Sequence, residues 1–102
     1  MVDLDTSLIF KALAHPVRRQ ILTWLRSPEG FEPQEHPDSA VYGICLSSIQ
    51  HRAGTSQSMT SQHMAALERA DLVQSHRLGQ WTHYRRNEDV LRRFAAHVAK
   101  DL

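Results

Sequence analysis

The side chains whose spacing most clearly suggests chemistry lie between Gln57 and Arg69. Wound at about 100° per residue, Gln57, Ser58, Ser61, Gln62, Ala65, Glu68 and Arg69 share one side of a helix. Met59, Thr60, His63, Met64, Ala66, Leu67 and Ala70 share the other. The first face opens with short hydroxyls and amides instead of charges. Ser and Gln allow close approach and offer donors and acceptors to base edges, so this face suits a DNA major groove. The plain alternative is a solvated face of an ordinary amphipathic helix.

The remaining reactive types give weaker signals. Cys45 is the single cysteine, so an internal disulfide framework is excluded and a reducing cytoplasm fits. Its plain reading is a buried thiol at a strand end; oxidation to a sulfenic acid or an intersubunit disulfide is the reactive alternative. Among the seven histidines, His15 precedes Pro16 at a helix junction and His63 falls on the inward face. His36 and His51 read as surface groups, and His76 and His83 as wing groups within reach of phosphates. Trp81 reads as packing in the same segment. No nucleophile has a spaced base, no Gly-rich loop could cradle a phosphate, and His51, Ser56 and Asp71 lack any triad spacing. The chain is not expected to be an enzyme.

The elements that must hold the polar face follow from local pattern. Leu4, Leu8, Ile9, Phe10, Ala12 and Leu13 give a first helix capped by Asp3 or Asp5. The residue before Pro16 must leave helical space, and Pro16 itself suits the first position of a second helix. Val17, Ile21, Trp24 and Leu25 form that helix's stripe. Residues 27–43 are acidic and Pro-rich, read as an exposed loop, with a short strand possible over 41–45. Leu46, Ile49 and Ala53 line a third helix, Gly54 supplies the turn, and Thr55 or Ser56 caps the polar-faced helix. Residues 72–77 and 80–85 read as a hairpin around Leu78-Gly79. Asn87 caps a last helix with Val90, Leu91, Phe94, Ala95 and Val98 inward. The expectation is one mainly α domain (α+β) over residues 1–102: five helices and a β-hairpin wing, a winged helix-turn-helix.

Charge supports this assignment. The net charge is only +1, but between Arg52 and Arg93 seven arginines face four carboxylates, whereas residues 27–50 carry four acids and no Lys or Arg. Basic clustering of this kind is the footprint of a phosphate binder. The hairpin puts Arg77, Arg85 and Arg86 where they could reach flanking DNA backbone. No run approaches the roughly 20 apolar residues that cross a bilayer, and the acidic N-terminus lacks a signal-peptide layout. No membrane partner is expected.

Three stretches, LAHPVRRQIL (13–22), TSQSMTSQHMAALERADLV (55–73) and GQWTHYRRNE (79–88), resemble the ArsR-type family of bacterial transcription regulators. The resemblance covers nearly everything but the 27–43 insert. It implies a cytoplasmic homodimer, a repressor that binds double-stranded DNA at a palindromic operator. By the same resemblance Ser56, Gln57, Ser58, Ser61 and Gln62 are the DNA-reading positions. Dimerisation would use the first and last helices, through Leu4, Leu8, Ile9, Phe10, Val90, Leu91, Phe94 and Val98; closure of the monomer core is the alternative use of these stripes. Met64 replaces the usual Leu, a volume-conserving swap, and Thr60 replaces a small aliphatic, which should loosen packing slightly. The family's metal sites are incomplete here. Cys45-Leu46-Ser47 lacks the second thiolate of a soft-metal site, and Asp89 and His97 stand eight residues apart, without the close carboxylate–histidine set of its last-helix site. No metal or cofactor is expected. A metal- or thiol-responsive sensor of the same family, or a protein-interaction module on a winged-helix frame, are the alternatives.

Overall fold

A computed structural model describes residues 4–102. The first helix, α1 (Thr6–Leu13), starts at Asp5, whose carboxylate accepts from the Leu8 N–H at 3.1 Å; the other candidate cap, Asp3, lies outside the described residues. His15 is extended, as a residue before proline must be, and α2 (Pro16–Arg26) begins on Pro16. A short 3-10 turn (Pro28–Gly30), α3 (Ser39–Tyr42) and β1 (Ile44–Cys45) follow. Then come α4 (Leu46–Ala53), α5 (Gln57–Arg69), β2 (Val73–Leu78), β3 (Trp81–Arg86) and α6 (Glu88–Asp101). The fold is a winged helix-turn-helix, with six α-helices among the described residues where the sequence suggests five. The extra one is the four-residue α3, too short to leave a periodic signal.

The insert is not a loose loop. Phe31 packs edge-on to Trp24, with ring centroids 6.5 Å apart, and the Arg52 guanidinium lies 4.5 Å from the Trp24 ring and 4.8 Å from Phe31. The Gln34 side chain accepts from the Cys45 N–H at 3.0 Å and donates to Ser48 Oγ at 3.2 Å. Tyr42 stacks on His76 at 3.8 Å. These partners are distant in sequence, which is why composition alone suggested solvation. The strand suggested over 41–45 shrinks to two residues, because Val41 and Tyr42 finish α3 and Gly43 (φ 95°) redirects the chain.

The sheet runs β1-β3-β2, all antiparallel, with Ile44 opposite Tyr84, Cys45 opposite His83 and Arg77 opposite Thr82. Ile21, Ile49, Met64, Leu67 and Leu72 are fully buried beneath it. Thr60 is equally buried, but its hydroxyl bonds Thr55 Oγ1 at 2.7 Å and the Ser56 carbonyl at 2.8 Å. The polar atom is satisfied, so the expected loosening at Thr60 is met by hydrogen bonding.

Candidate nucleic-acid interface

Two helices joined at a fixed angle create the surface. Gly54 takes the left-handed conformation (φ 68°) that ends α4, as a C-cap glycine does without a Cβ penalty. Ser56 then caps α5, its Oγ accepting from the Met59 N–H at 3.1 Å. Its hydroxyl oxygen therefore holds the helix start. Gln57, Ser58, Ser61 and Gln62 are all exposed, and none of their side chains has a partner among the described residues. They form one continuous polar face on the first two turns.

Met59 departs from expectation. Helical periodicity places it inward, yet it is 42% exposed. Its angular position is at the flank of the buried stripe of Thr60, His63, Met64 and Leu67, where a side chain meets solvent. Met59 is the exposed residue beside the polar row that helical periodicity missed; its place at the edge of the apolar stripe was the available signal.

The inward side of α5 is held by an unusual polar contact. Arg18 Nε donates to Nδ1 of His63 at 3.1 Å, and the His15 ring lies edge-on to His63 at 4.6 Å. His63 is only 2% exposed. Burial, then the charges of His15 and Arg18, lower its pKa, so the neutral ring that accepts from Arg18 is the favoured form.

The hairpin divides the three wing arginines. Arg77 shares its sheet face with Ser75, Thr82 and Tyr84, the face that meets α5 through the Ser75–Glu68 hydrogen bond. Its exposed guanidinium group hydrogen-bonds the Gly79 carbonyl, Nε–O 3.2 Å, and no other group among the described residues. Arg85 lies on the opposite face, bonded to Gln74 Oε1 at 3.1 Å and to the Val41 carbonyl at 3.2 Å. Arg86, expected on the wing surface, is turned inward instead. It donates to the Leu22 carbonyl at 3.2 Å and pairs with Glu88, Nε–Oε1 2.8 Å. A strand alternates faces, so neighbouring arginines cannot both point outward. His83 is likewise drawn away from phosphate contact by burial to 2%, whereas His76 stacks on Tyr42 and stays exposed.

The eight candidate dimer residues separate in the same way. Ile9 (1% exposed) and Val90 (9%) belong to the core of the protomer. Leu4, Leu91 and Phe94 are half-buried against it. Leu8, Phe10 and Val98 remain exposed, and Phe10 meets Phe94 edge-on at 5.2 Å, which joins the outer faces of α1 and α6 into one apolar patch. On α6, Asp89 pairs with Arg93 and His97 Nδ1 lies 3.1 Å from Asp101, so the two candidate ligands of that helix are engaged separately. Among the described residues, no helix is long and apolar enough to cross a membrane.

No family model matches the chain. It is 39% identical over 95 residues to the uncharacterized HTH-type transcriptional regulator YbzH of Bacillus subtilis (strain 168), covering 92% of this chain and 95% of that one. It is 30% identical, with a TM-score of 0.65, to the homodimeric winged helix-turn-helix DNA-binding domain (fragment 1–100) of Mb0332 from Mycobacterium bovis, a possible ArsR-family transcriptional regulator; 94% of this chain and 78% of that one are covered. An ArsR-like transcriptional regulator from Rhodococcus sp. RHA1 is 25% identical, with a TM-score of 0.69 over 92% of this chain and 76% of the other.

Proposed function

Because the chain belongs to the ArsR family of winged helix-turn-helix transcriptional regulators, we propose that it is a homodimeric repressor that binds a palindromic operator in the cytoplasm. One observation carries this reading: the exposed, unpartnered row Gln57, Ser58, Ser61 and Gln62 on α5. Such side chains exchange water for base edges without breaking any bond inside the protein, and Gln pairs bidentately with adenine. Met59 beside them offers an apolar contact to a thymine methyl group. Ser56 contributes by fixing the helix start, and the N-terminus of α5 favours a phosphate. Arg77, on the α5 side of the wing, supplies a flanking phosphate contact, whereas Arg85 and Arg86 hold the wing in place.

The apolar patch of Leu8, Phe10 and Val98 supports self-association, with Leu4, Leu91 and Phe94 forming its floor. A two-fold dimer sets two reading helices about 34 Å apart, one turn of DNA. Selection of bound sequences from a random duplex pool should return an inverted repeat. With that repeat, a Ser58→Ala, Gln62→Ala double variant should bind at least about tenfold more weakly, since good base contacts discriminate by about 1–3 kcal/mol. Undiminished operator binding by the double variant refutes the assignment of α5. Activation instead of repression of an operator-linked reporter refutes the repressor role alone.

A further inference from the structure

We propose that the 27–43 insert is a positioning element for DNA binding, a clamp that holds the outer face of the wing to the helix-turn-helix. Its working residue is Tyr42, which acts through His76 on the neighbouring Arg77. Strand alternation puts Gln74, His76, Trp81, His83 and Arg85 on one face of the β2–β3 ribbon. That face points away from α5, whose Glu68 bonds Ser75 on the other. The insert lies against it. The Tyr42 ring stacks on His76, with 3.8 Å between centroids and the planes 9° apart. The Val41 carbonyl accepts from Arg85 at 3.2 Å, and the His36 ring lies 6.3 Å from that of His83.

The other end of the insert is fixed to the helices. The Arg52 guanidinium on α4 lies against both Trp24 of α2 and Phe31 of the insert, 4.5 and 4.8 Å from their ring centres. A cation over an aromatic face is attracted by the ring quadrupole, so these contacts hold the three side chains together. The Gln34 side chain joins the insert to the start of α4, accepting from the Cys45 N–H and donating to Ser48 Oγ. One segment therefore grips α2 and α4 near its beginning and both wing strands near its end.

The wing gains from such a support. β1 pairs with β3 at Tyr84 and His83, so the outer hairpin, from Arg77–Thr82 to Leu78–Trp81, has only β2 and β3 for pairing among the described residues. A two-stranded ribbon is marginally stable by itself. His76 is the last β2 residue before that outer part and immediately precedes Arg77. A ring stacked on it limits the swing of the tip on the side that α5 does not cover. With the tip fixed, Arg77 meets a phosphate without first losing conformational freedom, and the ordering cost of binding falls. Tyr42 need not touch DNA to act in this way. The effect on affinity rests on the proposed role of Arg77; the clamp itself does not.

Amide hydrogen exchange on the full chain tests the clamp without DNA. Tyr42→Ala should speed exchange of the wing amides from His76 to Trp81 at least about threefold and leave α5 unchanged. His76→Ala, a change at an exposed position, removes the other ring and should do the same. Tyr42→Phe keeps the ring and should exchange as wild type. Unchanged wing exchange in both alanine variants overturns the proposal, and so does equal acceleration of α5 and the wing. Binding to a random-sequence duplex then tests the consequence. Tyr42→Ala should weaken it at least about threefold, and that loss should vanish in an Arg77→Ala background. A loss that persists there refutes the route through Arg77. Unweakened binding with the wing amides freed refutes the positioning role. If Arg77→Ala itself leaves DNA binding unchanged, the reading of Arg77 fails and the clamp is judged by exchange.

Discussion

Replacing Gly43 by Ala should be among the most damaging single-methyl additions to this fold. Gly43 has φ 95° and ψ −148°, a region essentially reserved for glycine, where another residue carries about 1–3 kcal/mol of strain. Space is a second obstacle. A Cβ built there would stand 1.9 Å from the Tyr84 carbonyl oxygen and 2.6 Å from its carbon. Both are backbone atoms of β3, so relief requires β1 to move off the sheet. That movement gives up the Ile44–Tyr84 and Cys45–His83 pairing, at about 1 kcal/mol for each hydrogen bond lost, and unseats the buried Ile44. Together these predict a loss of about 3–5 kcal/mol from a total of about 5–15 kcal/mol for a chain of this size. Gly54→Ala is the matched control. It has φ 68°, but nothing lies within 4 Å of its added Cβ, so only left-handed strain of about 1–2 kcal/mol applies. Urea unfolding followed by Trp fluorescence measures both. A Gly43→Ala loss no larger than that of Gly54→Ala would refute the steric argument.

Other predictions follow from the contacts at the interface. Arg77→Ala should weaken operator and random DNA alike and reduce the salt slope of binding by about one unit, whereas Arg85→Ala should leave the slope unchanged; titrations at several salt concentrations distinguish them. For His63 the folded-state pKa is depressed, so below the ordinary value of 6.5 the unfolded chain binds the extra proton. Its contribution to stability is therefore complete above about pH 6.5 and is lost as pH falls toward the folded value. His63→Gln should flatten the decline in unfolding free energy between about pH 7.5 and 5.5, and an unchanged slope would contradict the neutral Arg18–His63 contact. Leu8→Glu combined with Val98→Glu should convert a dimer to a folded monomer in sedimentation, because both side chains are exposed on the protomer; a persistent dimer would move the interface elsewhere.

Local pattern was sufficient for much of this fold. Pro16 after an extended residue, the Gly54 turn, a cap at Thr55 or Ser56, the Asn87 cap and the Gly79 hairpin are decided by residues within four positions of one another, so they were legible before any tertiary contact was known. The exposed face of α5 was legible for the same reason, since its period is a property of one helix. Motif order added the winged arrangement and the family. Contacts across the chain decided the rest. Val41 and Leu22 offered carbonyls to Arg85 and Arg86, which fixed Arg85, still exposed, on the face away from Arg77 and drew Arg86 inward. Ile9 and Val90 were claimed by the protomer core, leaving Leu8, Phe10 and Val98 outside.

The 27–43 insert marks the boundary between these two kinds of information most clearly. Its prolines, glycines and acids determined that it would not continue the helical pattern. They could not determine where it would lie, because Phe31, Gln34 and Tyr42 find partners 7 to 34 residues away in sequence. Cys45 follows the same division. The sequence alone established that it has no second thiol to pair with; the apposition of β1 to β3 placed it beside His83. Periodicity and turn chemistry act within one element, whereas burial and hydrogen-bond satisfaction depend on which elements meet.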